Sequence, residues 1–80
     1  MTKNEIIEKI KDILFEIIPE LEDEKIDFDE TFTELGANSV DRGELITLTL
    51  ERLDLNIPRI DFVEAQTIND LSDLVFEKQD

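Results

Sequence analysis

The sequence predicts an all-α protein: a four-helix bundle of three longer helices and a short third helix, with a long loop between the first two. Apolar residues recur at three- and four-residue steps in three segments, which is the period of an amphipathic helix. No segment alternates cleanly between apolar and polar residues, and no two-residue hairpin signal occurs. Because 80 residues cannot fill two cores, we expect one domain spanning residues 1–80.

The first helix is predicted to begin after Thr2. The run from Thr2 to Glu5 has the spacing of a capping box, in which the threonine hydroxyl and the glutamate satisfy each other's backbone N–H groups. Pro19 disfavours helical geometry at the residue before it, so the helix should end at about Ile18. The apolar stripe of this helix comprises Ile6, Ile7, Ile10, Ile13, Leu14, Ile17 and Ile18.

The segment from Glu20 to Glu34 is acidic and lacks a helical period. Its length predicts a functional loop or a short turn of helix within it. The run Asp27–Glu30 invites a calcium-loop interpretation, which fails because Phe32 and Asn38 stand where glycine and a bidentate glutamate are needed. We expect Asp29 to cap a short turn instead. The apolar residues that should attach the loop to the core are Leu21, Ile26, Phe28, Phe32 and Leu35.

The second helix is predicted to run from Ser39 to Asp54. Asn38 can cap it, while Asp41 and Glu44 place negative charge near the positive end of the helix dipole. The Ser39 hydroxyl, at the start of this helix, is well placed to carry a phosphate, although simple helix capping also accounts for a small polar residue there. The predicted apolar set is Val40, Leu45, Ile46, Leu48, Leu50 and Leu53.

Two residues early in this helix are unusual. Gly43 costs roughly 1 kcal/mol against alanine inside a helix, so it indicates either a tightly packed neighbour, which we favour, or close approach of a partner. Arg42 is unfavourable for the helix dipole in this turn. It is therefore either an exposed residue without a role or a contact that discriminates between partners.

The remainder of the chain predicts two further helices. Pro58 biases the residue before it towards extended geometry, and the short segment that contains Ile60, Phe62, Val63 and Ala65 should form one or two turns over the core. The run Thr67–Asp70 resembles a second helix cap, and Glu77–Asp80 should fray. The last apolar stripe comprises Ile68, Leu71, Leu74 and Val75, with Phe76 beside it.

Composition excludes several classes of function. The formal net charge is −14, from 22 acidic and 8 basic residues, so nucleic acid and anionic membranes are poor partners, whereas basic protein surfaces are attracted. Histidine and cysteine are absent, which removes nucleophilic triads, disulfides and thiolate metal sites. No membrane-spanning stretch or signal sequence is apparent. We expect a cytoplasmic protein, monomeric, without metal and without catalytic activity of its own.

The run from Leu35 to Asp41, Leu-Gly-Ala-Asn-Ser-Val-Asp, resembles the Leu-Gly-Xaa-Asp-Ser-Leu-Asp signature of acyl carrier proteins. The resemblance covers essentially the whole chain, because the residues that follow the signature and the starts and ends of later helices keep the family's order and spacing. It implies the fold of that family and a 4'-phosphopantetheine arm, taken from coenzyme A, on Ser39. The later landmarks are Glu44-Leu45, Leu55-Asn56-Ile57-Pro58, Thr67-Ile68 and Asp70.

The departures from the signature point to a subclass. Asn38 replaces the usual aspartate, Val40 replaces leucine, and Arg42 and Gly43 replace a pair that is usually uncharged and apolar. The run Asn-Ser-Val-Asp-Arg resembles most closely the stand-alone carriers of polyketide β-branching, which give an acetyl group to a 3-hydroxy-3-methylglutaryl-synthase-like enzyme. The partner-contacting residues implied by the resemblance are Asn38, Val40, Asp41, Arg42, Gly43 and Glu44.

The resemblance also implies further partners: a phosphopantetheinyl transferase, a ketosynthase or decarboxylase, and an acyltransferase. Two other functions remain open at the level of sequence. One is a carrier protein of fatty-acid synthesis, and the other is an acidic helical interaction module without a prosthetic group.

Overall fold

The computed structural model describes residues 1–78 and contains three α-helices and two short 3-10 helices. Within those residues no strand forms, and the only bridge of β type joins Thr31 to Thr67. The all-α prediction is therefore confirmed, and the short third helix is a single 3-10 turn. The elements in chain order are α1 (Lys3–Ile17), η1 (Pro19–Asp23), α2 (Ser39–Arg52), η2 (Arg59–Phe62) and α3 (Ile68–Lys78).

Helix α1 begins at the predicted capping box. Thr2 Oγ1 accepts a hydrogen bond from the Glu5 N–H at 3.2 Å, and Glu5 Oε1 accepts one from the Thr2 N–H at 2.9 Å. The helix ends at Ile17 because Pro19 opens η1. The short helix that the loop's length predicted is thus η1.

Helix α1 packs against both α2 and α3, so its apolar stripe forms the centre of the bundle. Two aromatic side chains outside the α-helices complete the core, since Phe32 is 1% exposed and Phe62 is fully buried. The other apolar loop residues that were expected to attach the loop are either buried in this core or packed against it. No helix among residues 1–78 is long and apolar enough to cross a membrane.

The end of α2 differs from the prediction by two residues. The helix ends at Arg52, and Asp54 has a left-handed φ of 54°, which a helix cannot continue through. The Leu55 N–H then donates to the Leu50 carbonyl at 2.9 Å, a pattern that satisfies one of the last free carbonyls of the helix.

Three apolar residues predicted to face the core are exposed instead. Val40 is 76%, Ile60 is 73% and Val63 is 52% exposed. Phe62 and Ala65, from the same short segment as the last two, are buried as expected. A single 3-10 turn presents only one narrow face to the core, so it cannot bury neighbouring residues on opposite sides.

The long loop is attached to the start of α3. The Phe32 N–H donates to the Gln66 carbonyl at 2.7 Å, and Asn69 Nδ2 donates to Asp29 Oδ1 at 2.6 Å. The prediction that Asp29 caps a turn is wrong, because Asp27 Oδ1 accepts from the Asp29 N–H at 2.9 Å and takes that role. The Asp29 carboxylate binds the Asn69 side chain instead.

Helix α3 has the predicted cap with one difference. Thr67 Oγ1 accepts from the Asp70 N–H at 3.0 Å, but the Asp70 carboxylate accepts from the Gln66 N–H at 3.2 Å instead of closing a box on Thr67. Fraying was predicted for the last four residues. Helix α3 continues through Lys78, and residues 79–80 lie outside the described part of the chain.

Candidate functional site at the start of helix α2

A compact turn leads the chain into α2. The Leu35 N–H donates to the Thr31 carbonyl at 3.0 Å, and the Ala37 N–H donates to the Phe32 carbonyl at 2.8 Å. Between them Gly36 has a φ of 98°, a conformation that glycine adopts without the strain of a side chain. Ala37 is then buried, which fixes the direction in which the next residues leave the core.

A side-chain box closes this turn. Glu34 Oε1 accepts hydrogen bonds from both the N–H and the hydroxyl of Thr31, each at 3.0 Å, and the Glu34 N–H donates to Thr31 Oγ1 at 3.1 Å. The bonds from Thr31 lower the pKa of the Glu34 carboxyl from its usual 4.5, and the bond from the backbone N–H has the larger effect. The turn is therefore held most firmly when this carboxyl is ionised.

A second box starts α2 itself. Asn38 Oδ1 accepts from the Asp41 N–H at 2.8 Å, and Asp41 Oδ2 accepts from the Asn38 N–H at 3.2 Å. Asparagine and aspartate are comparable as N-caps. The departure from the family signature at position 38 thus keeps the cap and removes one negative charge beside Ser39.

Ser39 is the first residue of α2 and its side chain is exposed. Its hydroxyl makes no hydrogen bond to any of residues 1–78, whereas buried Ser72, the other serine, donates to the Asn69 carbonyl at 3.0 Å. The free N–H groups and the dipole of a helix N-terminus favour a phosphate at this position. The residues around Ser39 therefore fit a phosphate-linked prosthetic group.

The other predicted contact residues lie around the same turn, but they differ in exposure. Val40 and Glu44 are exposed, whereas Asp41, Arg42 and Gly43 are half-buried. The position of Arg42 follows from the helical period, because it stands three and four residues before two buried side chains, those of residues 45 and 46. It lies at the edge of the core and not on the outermost face of the helix.

The structure adds a residue that sequence reasoning missed. The Arg59 side chain, from η2, lies against Gly43, with Nη2 at 3.5 Å from the glycine carbonyl oxygen. A Cβ atom at position 43 would stand 3.1 Å from that nitrogen. The favoured interpretation of Gly43, a tightly packed neighbour, stays a prediction, because the neighbour found is the end of one exposed arginine side chain. The glycine inside the helix was the available signal, but it does not identify the neighbour.

The three exposed apolar residues noted above belong to this region. Val40 lies in the first turn of α2, while Ile60 is in η2 and Val63 directly follows it. The contact between Arg59 and Gly43 places η2 beside the first turns of α2. The surroundings of Ser39 thus combine exposed apolar side chains with two arginines.

Comparisons with known proteins agree on one family. A family model described as a phosphopantetheine attachment site matches residues 8–75. The chain is 38% identical to the polyketide biosynthesis acyl carrier protein AcpK of Bacillus subtilis over 98% of this chain and 95% of that protein. It is 34% identical to an acyl carrier protein of Borrelia garinii over 99% of each.

One solved structure is also closely similar. It is titled as the HMG synthase of the curacin biosynthetic pathway in complex with an acetyl donor acyl carrier protein. The matching chain has a TM-score of 0.92 and 41% identity, and the alignment covers 98% of this chain and 100% of that one. Because the whole of that chain aligns with one of 80 residues, the match is to the carrier component of the complex.

Proposed function

Since the chain belongs to the acyl carrier protein family, we propose that Ser39 carries its 4'-phosphopantetheine and that the protein donates an acetyl group to an HMG-synthase-like enzyme of polyketide β-branching. The observation that supports the attachment site is the exposed Ser39 hydroxyl at the N-terminus of α2. The similarity to an acetyl donor carrier over nearly the whole chain supports the donor role.

The residues around Ser39 orient the site for attachment. In the proposed reaction the Ser39 oxygen forms a bond to the phosphorus of coenzyme A that carries the pantetheine. The phosphoanhydride bond breaks, adenosine 3',5'-bisphosphate leaves, and the hydroxyl proton passes to a base of the transferase. The Asn38–Asp41 box fixes the first turn, and the helix dipole stabilises the phosphate formed there. Bound at Ser39, the group supplies the thiol that this cysteine-free chain lacks and that an acyl thioester requires.

The chain itself carries no catalysis in this proposal. Histidine and cysteine are absent, and within residues 1–78 no cluster of potential metal ligands occurs. The transferase, an acyltransferase and a ketosynthase or decarboxylase act on it in turn. Residues 38–44 form the surface that these partners meet. A carrier role in fatty-acid synthesis is the second candidate, because one relative is named simply as an acyl carrier protein, with no polyketide pathway in its name.

Intact mass tests the attachment site. After incubation with coenzyme A and a phosphopantetheinyl transferase, the wild-type protein should gain one phosphopantetheine, and Ser39→Ala should gain none while keeping its helical circular dichroism. Thr33→Ala, an exposed hydroxyl deletion in the preceding turn, is the matched control and should be modified as wild type. A mass gain on Ser39→Ala would refute the site and direct attention to Ser72.

The donor role needs a second measurement. Acetylated protein should pass its acetyl group to an HMG synthase of a polyketide pathway faster than an acetylated carrier of fatty-acid synthesis does. Equal rates, or no transfer by either protein, would leave the family assignment standing and refute the donor role.

A further inference from the structure

The basic residues of this acidic chain divide into two groups. Four of the eight form ion pairs with carboxylates: Lys3 with Asp73, Lys11 with Glu8, Arg52 with Glu16, and Lys78 with Asp61. Within residues 1–78, Arg42, Arg59, Lys9 and Lys25 form none. Both arginines of this second group lie beside the first turns of α2, although acidic residues outnumber basic ones 22 to 8.

The Arg59 guanidinium lies against Gly43. Nη2 is 3.5 Å from the Gly43 carbonyl, and any Cβ at position 43 would stand 3.1 Å from it, closer than most such contacts. Residues four apart lie on the same side of a helix, roughly 5–6 Å from each other, so Ser39 and Gly43 are neighbours on one flank of α2. The Arg59 guanidinium thus lies beside a residue that is about one helical turn from the serine.

We propose that Arg59 is a docking residue that pairs with a carboxylate on the acceptor enzyme, and that Gly43 is the positioning residue that lets it lie there. The proposal rests on the proposed donor function. A surface with a net charge of −14 attracts basic enzymes in general. An exposed cation among these acidic residues departs from this pattern, and it favours a partner that presents a carboxylate where the arm enters.

The apolar surroundings strengthen such a pair. Ile60 directly follows Arg59 and is 73% exposed, and Val40 is 76% exposed on the adjoining turn of α2. When a partner covers these side chains, water leaves the rim of the contact, and charge pairing is stronger in the lower dielectric that results. The partner surface that fits is therefore an apolar spot edged by at least one carboxylate.

A double-mutant cycle tests this proposal. The variants are Gly43→Ala, Arg59→Ala and the double substitution. Each is loaded with an acetylated arm, checked for complete loading by intact mass and for folding by circular dichroism, and assayed for acetyl transfer to an HMG synthase of a polyketide pathway. Arg59→Ala should lower kcat/KM by on the order of tenfold, through KM more than kcat, and Arg59→Lys should recover part of this loss.

Gly43→Ala should also lower kcat/KM, and the double variant should be no worse than Arg59→Ala alone, because the two residues act as one unit. The matched control is Arg52→Ala, an exposed arginine already paired with Glu16 at the other end of α2, which should transfer as wild type. Transfer by Arg59→Ala at the wild-type rate would overturn the docking role. Additive losses in the double variant would overturn the positioning role of Gly43.

Failure of the proposed function gives a different result. Wild-type protein that accepts the arm and transfers no acetyl group would overturn the donor function and the docking role together. Wild-type transfer with an unaffected Arg59→Ala variant would overturn the docking role alone.

Discussion

Removing the Asn38 cap should destabilise the protein by about 1 kcal/mol. In Asn38→Ala the Asp41 N–H loses its acceptor at 2.8 Å, and replacing an asparagine N-cap by alanine typically costs about 0.5–2 kcal/mol. For a domain of this size the total stability is roughly 4–12 kcal/mol. A loss of this magnitude lowers Tm by roughly 4–8 °C.

The assay is thermal and urea unfolding followed by circular dichroism at neutral pH. Asn4→Ala is the matched control, because Asn4 is exposed in the first turn of α1 and its side chain makes no hydrogen bond within residues 1–78. That variant should match wild type or gain a few tenths of a kcal/mol, since alanine has the higher helix propensity.

The effect should also be local. The Asp41 amide should exchange with solvent faster in Asn38→Ala, because its hydrogen bond is gone and the first turn opens more often. Arm attachment at Ser39 should slow in parallel, since the serine stands inside the turn that opens. An unchanged Tm together with unchanged Asp41 exchange would refute the reasoning, since it would mean that the cap contributes nothing to the start of α2.

Three further predictions concern charge. Arg42→Asp should leave the fold and arm attachment nearly intact, as checked by circular dichroism and intact mass. It should raise the activation free energy of acetyl transfer to the synthase by about 1–3 kcal/mol, and equal transfer rates would argue against the subclass. Binding to partner enzymes should weaken as the salt concentration rises, because the association rate constant falls more than the dissociation rate constant changes. Stopped-flow rate constants that do not depend on salt would show that apolar contacts dominate. Because the pKa of Glu34 is lower in the folded chain than its usual 4.5, its contribution to stability is present above that pH and is lost below it. The free energy of unfolding of Glu34→Gln should therefore fall less steeply below pH 4.5 than that of wild type, and parallel curves for the two proteins would contradict this.

The local parts of the fold were predictable because their causes lie within a few residues. The Thr2 and Asn38 boxes each join residues three apart, and the stripes of the three longer helices follow from a period of 3.6. Pro19 marks the end of α1 in the same way. The position of Ser39 at a helix start could thus be read from its neighbours in sequence.

The parts that sequence reasoning missed depend on how separate elements pack. Arg59 and Gly43 are 16 residues apart, and nothing in either local sequence indicates that η2 lies against that turn of α2. Ile60 and Val63 were predicted to face the core because a short apolar run has no period from which its faces can be assigned. Asp29 was given a local capping role, whereas its partner, Asn69, is 40 residues away.

The attachment of the long loop to the start of α3 has a consequence for the order in which the contacts of the fold can form. The bond from the Phe32 N–H to the Gln66 carbonyl anchors the turn before Ser39, and the contact of Asp29 with Asn69 anchors the loop that precedes this turn. Contacts this distant in sequence form only after the intervening chain has closed on itself. A chain that stops before Gln66 lacks both contacts, so it lacks the support that α3 and the residues before it give to the long loop in the folded protein.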